Sequence, residues 1–304
     1  MQSNKKKIIK KIGVIYGGKS AEREVSLRTG AAIADALSGS NYDVVLMDAG
    51  RPDFLKKLVL SRIDLAFIAL HGGHGEDGTI QGVFEFLGIP YTGSGVLASA
   101  IAMDKIFTKK ILEFHGIKTP PWRVLRRGDE LAGIWLPAVV KPARQGSAIG
   151  ISIVKKKSEI RRALSIAFKF GDEVLVEKYI KGKEITVAVL ADVPLTPVQI
   201  VPKNSFYDYF SKYAKGGSAH IIPPELDKNI VEKAKRIGLS VHSALGCKSV
   251  SRVDMIVDGR GGIFVLEVNT VPGMTATSLY PDAAKHDGIK FKEMIEKIIF
   301  SSVK

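Results

Sequence analysis

A single cysteine, Cys247, in 304 residues rules out an internal disulfide, so the fold rests on packing and nothing points to an oxidising compartment. No apolar stretch approaches the roughly 20 residues that cross a bilayer as a helix. The opening MQSNKKKIIKKIGVIYGG is basic and then briefly apolar, but the run ends in Gly17-Gly18 rather than at a small-residue cleavage site. It reads as a first strand and not a signal peptide, and the expected compartment is the cytoplasm. The pattern GxxxxGK[ST] is met once, by Gly13 to Ser20 (GVIYGGKS), but its first residues lie inside the apolar run read as the first strand rather than in a loop after it, so no P-loop is expected. Acidic residues are scarce, 31 against 45 lysines and arginines, for a formal net charge of +14. Such an excess suits either an anionic macromolecule or a lysine-rich solvated surface. The basic residues are scattered and no aromatic stacking motif accompanies them, so no nucleic-acid or membrane partner is expected.

Apolar residues are ample at 45% of the chain, and its length exceeds one typical core, so two or three lobes are expected. Ile12 to Tyr16, Val44 to Met47 and Leu65 to Leu70 are apolar runs of strand length, with a helix read from about Val25 to Leu37. Strands alternating with helices predict a doubly wound parallel sheet, with ligand loops at strand carboxyl ends. Val96 to His115 reads as one helix. After Pro120-Pro121, strands Ala138 to Lys141, Ile151 to Val154 and Val174 to Glu177 with a helix near 158–170 predict a small α+β lobe. Strands Glu184 to Leu190 and Val198 to Val201, a helix near 227–245 and a hairpin near 251–270 follow. The expected divisions are residues 1–95, 96–181 and 182–304.

The hairpin SRVDMIVDGRGGIFVLEVN carries the most chemistry. With a turn centred on Arg260-Gly261, Asp254 faces Glu267 and Arg252 faces Asn269. Alternation then puts these four on one face, and Val253, Met255, Val257, Phe264, Leu266 and Val268 on a core face. Opposed residues have Cβ atoms about 5 Å apart, so Asp254, Glu267 and Asn269 converge as oxygen donors for a hard cation such as Mg²⁺. A cross-strand Asp–Arg or Glu–Arg pair on a solvated face would also use this pattern, but gives no reason for the amide two residues after Glu267.

Two glycine-rich segments add to it. Lys141 to Gly150 (KPARQGSAIG) lies between two strands, and either cradles phosphate or simply turns a hairpin. Leu70 to Gly78 (LHGGHGEDG) offers two histidines and two carboxylates, yet suits a substrate loop at a strand end better than a metal site.

These segments, with GGKSAEREVS, YTGSGVLASAIAMDK, VEKYIKGKE, FYDYFSKY and LEVNTVPGMTATS in this order, resemble the D-alanine–D-alanine ligases over nearly the whole chain. The resemblance implies a three-lobed ATP-grasp fold, mixing α/β and α+β parts, that joins two D-alanines with ATP and two Mg²⁺ (or Mn²⁺) as a homodimer. It implies that Lys105, Lys141 and Lys212 contact phosphates, with Ser147 in the loop over them. Glu177, Lys178 and Ile180 would line the adenine pocket, Glu184 would hold the ribose, and Asp254, Glu267 and Asn269 would hold the metal. Glu22 would bind the first substrate's ammonium beside His71, and Glu22, Ser147 and Tyr213 would form a closing triad. Arg252 and the Gly273 N–H would stabilise the oxyanion, and Ser278 with the Leu279 N–H would hold the second carboxylate. Gln145 and Ala148 depart from the family's usual Glu and second Ser. Rival readings are coupling of D-alanine to D-lactate or D-serine, and a non-catalytic nucleotide or RNA binder. The bland reading of Cys247 is a packed thiol, and of His115, His220, His242 and His286 surface or loop positions.

Overall fold

The computed structural model describes residues 9–202 and 218–303. The first apolar runs form β1 (Lys11–Tyr16), β2 (Asp43–Asp48) and β3 (Leu65–Ile68), paired in parallel in the order β2-β1-β3. Helix α1 (Arg23–Leu37) joins β1 to β2, and α2 (Phe54–Ser61) joins β2 to β3. With β1 central, the chain leaves it toward β2 and returns on its other side as β3. The loops after β1 and β3 therefore open together at the strands' carboxyl ends, the usual ligand position in such sheets. Helix α2 carries Leu55, Val59 and Leu60 on its exposed side as well as buried Phe54 and Leu58, so its sequence lacks the one-face pattern that marks a helix.

Helix α3 (Thr79–Leu87) follows the loop after β3. The single helix expected over 96–115 is two, α4 (Val96–Met103) and α5 (Lys105–Phe114). Asp104 between them is extended at φ −89° and ψ 103°, and its carboxylate accepts the Ile106 and Phe107 N–H groups at 3.0 and 3.2 Å. An aspartate so placed caps a new helix, and α5 restarts with Lys105 in its first turn.

A four-stranded antiparallel sheet follows in the order β4 (Trp122–Leu125), β7 (Val174–Lys178), β5 (Ala138–Pro142), β6 (Ser152–Val154). Helix α6 (Ile160–Ala167) covers one face, packing Ile160, Ala163 and Leu164 on Val140, Val154 and Val176.

The third sheet runs β11 (Ser218–Ile221), β10 (Val198–Pro202), β8 (Gly182–Leu190), β12 (Val250–Asp258), β13 (Ile263–Asn269), with β9 (Val193–Pro194) hairpinned onto β8. Helix α7 (Lys228–Ala244) packs Ala234 and Val241 against Val187 and Val253. Helices α8 (Leu279–His286) and α9 (Phe291–Ser302), absent from the sequence reading, share a core with α1 and the parallel sheet, where Tyr280 and Ile298 meet Val14, Ile33 and Leu190. That shared core fixes the loop between β13 and α8 opposite the loops after β1 and β3.

Of two single-residue expectations, the one for Cys247 holds and the one for His242 does not. Cys247 is a buried thiol, pushed up to about 11 by burial, as a packing group should be. His242 is not at the surface: it is 2% exposed on α7, its ring between Ser251 Oγ (2.7 Å) and Asp192 Oδ1 (3.2 Å), and burial lowers its pKa against the pull of Asp192.

Candidate active site

The hairpin of β12 and β13 pairs Arg252 with Asn269 and Asp254 with Glu267, the register expected, but by another route. The loop holds three residues, not two. Asp258 and Gly262 close it, with the Asp258 N–H on the Gly262 carbonyl at 2.9 Å, and Gly261 takes the left-handed φ of +78° such loops require. A bulge then restores the alignment: Met255 pairs with Val265 while Asp254 pairs with Glu267, leaving Leu266 unopposed. The bulge corrects the predicted core face beyond it. Ile263 and Val265 are buried there, and Phe264 and Leu266, expected inside, are only half-buried.

On the polar face, the Arg252 guanidinium grips Asp254 side-on, Nε to Oδ1 at 2.9 Å and Nη2 to Oδ2 at 2.7 Å. Thr186 on β8 donates to the same Oδ1 at 2.6 Å. Asp254 is 5% exposed and Arg252 half-buried, so this is no solvated surface pair. Glu267 Oε2 lies 3.6 Å from Lys105 Nζ, and Asn269 Oδ1 accepts the Val271 N–H at 2.8 Å. Two carboxylates and an amide, without histidine or cysteine, fit a hard oxygen-seeking cation. Each carboxylate already faces a cationic side chain, so the face holds its charges in compensated form.

Glu267, Asn269 and Arg252 line one cleft of about 1010 Å³, open to solvent, whose opposite wall carries Glu22, His71 and Ser147. Glu22 precedes the first turn of α1, 5% exposed, and accepts a 2.5 Å hydrogen bond from Ser147 Oγ. That bond spans from the loop after β1 to the loop after β5. It holds Ser147 at φ +52° and is followed by Ala148 at +59°, left-handed positions that a non-glycine residue adopts only under restraint. Gly72, at φ +69°, lies so close to Glu22 that a Cβ there would meet Oε2 at 2.7 Å. His71, 4% exposed, is fixed by Thr29 Oγ1 at 2.9 Å from Nε2, and its Nδ1 faces Glu76 at 3.7 Å.

At the other end, Ser278 precedes α8 in extended conformation, and Leu279 is the helix's first residue. Orphan N–H groups at a helix start attract a carboxylate. Ser278 Oγ accepts the Thr275 N–H at 3.0 Å and meets Thr275 Oγ1 at 2.8 Å. Gly273 comes close enough that a Cβ would stand 3.0 Å from Ser278 Oγ.

Of the other described phosphate and adenine candidates, all but Lys105 lie off this cleft's lining. Lys105 Nζ, which does line it, also donates to the Gln145 carbonyl at 2.5 Å. Lys141 Nζ contacts Glu177 Oε2 at 2.6 Å, while Glu177 Oε1 forms an ion pair with Lys109 that lacks an aligned hydrogen bond. Burial pushes the Glu177 carboxyl up, but the Lys141 and Lys109 ammoniums outweigh it and hold it below its ordinary value. Both Glu177 oxygens are thus turned to lysines rather than to an open wall. Lys178 is exposed and Ile180 half-buried just past β7, and Glu184 is half-buried on β8 between Ile200 and Ile256. Lys212 and Tyr213 lie outside the described residues. Sequence reasoning missed Glu76, Arg28 and Thr277 in the cleft wall, and the supports Thr186 and Lys109. Only Glu76 had a local signal, the glycine-rich loop that holds it.

Family models for the N-terminal and C-terminal parts of the D-ala D-ala ligases match residues 52–94 and 111–300. A D-alanine–D-alanine ligase of Geotalea uraniireducens is 50% identical over 294 residues, covering 95% of this chain and 94% of the relative. One from Syntrophotalea carbinolica is 51% identical over 292 residues, 95% of each chain. Among solved structures, the Bacillus anthracis D-alanine–D-alanine ligase complexed with ATP superposes with TM-score 0.86 at 38% identity, over 97% of both chains. The VanG D-Ala:D-Ser ligase of Enterococcus faecalis gives TM-score 0.85 at 32% identity, over 97% of this chain and 100% of that one.

Proposed function

Because the chain belongs to the D-alanine–D-alanine ligase family, with its ATP-grasp fold, we propose that it condenses two D-alanines to D-alanyl-D-alanine for peptidoglycan precursors, converting ATP to ADP and phosphate. The observation that carries the reading is the in-register face of Arg252, Asp254, Glu267 and Asn269, three of which open onto the same cleft as Glu22, Ser147 and Ser278. A mere nucleotide binder has no use for a fixed guanidinium beside a carboxylate subsite.

A carboxylate is a poor acyl donor because it must expel oxide. In the reaction proposed, Glu22 holds the first D-alanine's ammonium, beside His71, while the substrate carboxylate attacks the γ-phosphorus and the bond to ADP breaks, giving an acyl phosphate. Lys105, Lys141 and Lys212 neutralise charge on the transferring group. Two Mg²⁺ or Mn²⁺ ions, for which Asp254, Glu267 and Asn269 are the proposed ligands, would supply further positive charge to the phosphoryl oxygens. Glu177, Lys178 and Ile180 flank the adenine and Glu184 the ribose. Ser278 Oγ and the Leu279 N–H hold the second D-alanine's carboxylate, and its amine attacks the acyl carbon. The oxyanion so formed is met by Arg252 and the Gly273 N–H, then phosphate departs. The Gln145 to Gly150 loop, latched by Ser147 to Glu22 and joined by Tyr213, keeps water from the acyl phosphate. The chain is proposed to work as a cytoplasmic homodimer divided at 1–95, 96–181 and 182–304. No helix among the described residues is long and apolar enough to cross a membrane.

The test is mass spectrometry of products from the chain with ATP, Mg²⁺ and D-alanine, with parallel reactions containing D-lactate, D-serine or L-alanine. D-alanyl-D-alanine, formed one for one with ADP, is expected. The likeness to a D-Ala:D-Ser ligase makes the D-serine arm informative, and a dominant mixed product would assign the second site to D-serine instead. Removing divalent cations with a chelator should abolish product, and Mg²⁺ or Mn²⁺ should restore it. Undiminished turnover in the chelator would remove the metal from the scheme.

A further inference from the structure

Lys109 stands outside every motif and every step above, yet it is wholly buried, 0% exposed on α5, one turn after Lys105. Its Nζ meets Glu177 Oε1 and Thr119 Oγ1. The Thr119 hydroxyl donates in turn to the Val265 carbonyl at 2.9 Å, on β13 two residues before Glu267. An ammonium is not kept out of water without a partner, and here the partner is a carboxylate that already has one.

The charges explain the arrangement. Lys141 and Glu177, 2.6 Å apart, sum to zero, +1 and −1, so alone they would offer an incoming polyphosphate a neutral pair. With Lys109 the cluster sums to +1. Burial draws the Lys109 pKa down to about 8 against the attraction of Glu177, which leaves it protonated at neutral pH. We propose that Lys109 is a positioning residue for the nucleotide: it balances Glu177 from beneath, so that the charge of Lys141 is available to phosphate. As Lys141 turns toward the nucleotide, Glu177 keeps a cationic partner and no buried carboxylate is stranded. The link through Thr119 to β13 fixes this cluster relative to the face of Glu267 and Asn269. The inference rests on the ligase reading, because it takes Lys141 to be a phosphate contact.

The test compares full-length wild type, Lys109→Met and Lys109→Arg. ATP affinity is read by equilibrium titration with MgATP, and KM for D-alanine by product formation. Titration scores the inference whether or not the wild type joins D-alanine, so failure of the ligase reading shows separately. Lys109→Met should weaken ATP binding by about tenfold or more, with KM for D-alanine within about twofold of wild type. Lys109→Arg, whose cluster still sums to +1, should stay within about threefold of wild type. Wild-type ATP affinity in Lys109→Met overturns the proposal, and so does a loss in Lys109→Arg as large as that in Lys109→Met, since that marks packing rather than charge. If Lys109→Met does not fold, Lys109→Gln is scored in its place: a loss of about tenfold supports the proposal and near-wild-type affinity overturns it.

Discussion

Arg252→Ala should lower turnover by about 100- to 1000-fold, the usual cost of one lost oxyanion donor. The side chain is half-buried and locked by two hydrogen bonds to Asp254, so its position costs no reorganisation when the tetrahedral oxyanion appears. Because that charge exists only after the second amine attacks, the loss belongs in kcat, with KM for ATP little changed. Arg252 also covers Asp254, so its removal should leave divalent-ion affinity equal or tighter, not weaker. Arg252→Lys restores a charge but not the two-pronged grip on Asp254, and should recover only part of the rate. Steady-state kinetics with varied ATP, D-alanine and Mg²⁺ separate these effects. Near-normal kcat in Arg252→Ala would remove Arg252 from its proposed role.

Glu177→Ala should cost about 3–5 kcal/mol of stability, the range for breaking a buried pair from one side. Glu177 is 2% exposed with an ammonium on each oxygen, and truncation leaves Lys109 and Lys141 facing each other across the gap. The pH dependence has a definite sign. Burial alone would raise the Glu177 pKa, but the lysines hold it below the ordinary carboxylate value, so its folded pKa is depressed. Its contribution is therefore present above the ordinary carboxylate range and disappears as pH falls through the lowered folded value. Denaturant unfolding of wild type and variant should differ most at neutral pH and converge in acid. A difference under about 1 kcal/mol at pH 7 would mean that the triad adds little more than an exposed pair.

How much of this the sequence disclosed depends on how local the cause was. The polar face of β12 and β13 was legible because strand alternation and a turn signal lie within twenty residues, although its register came from two departures that cancelled: a three-residue loop and the bulge at Leu266. The face beyond the bulge was misread for that reason. Asp104 was readable in principle, but its cap interrupts an apolar pattern that runs on through both α4 and α5. Helices α8 and α9 were missed although their apolar faces are plain in the structure, where partners from β1, β8 and α1 reveal which side is inside. The cleft required Glu22, Ser147 and Ser278 to meet from distant segments, and spacing says nothing about such approaches; resemblance alone named them. Lys109 was invisible for the opposite reason, since a lysine on a helix reads as solvated and nothing nearby in sequence announces Glu177 or Thr119.

The central claim, that one substrate carboxylate is phosphorylated before the peptide bond forms, is tested most directly by isotope transfer. D-alanine carrying ¹⁸O in both carboxylate oxygens is incubated with the chain, ATP and Mg²⁺, and the released phosphate is analysed by mass spectrometry. The account predicts one ¹⁸O in each phosphate, because the oxygen that attacks phosphorus leaves with it when the amine displaces it from carbon. Unlabelled phosphate accompanying D-alanyl-D-alanine would contradict it.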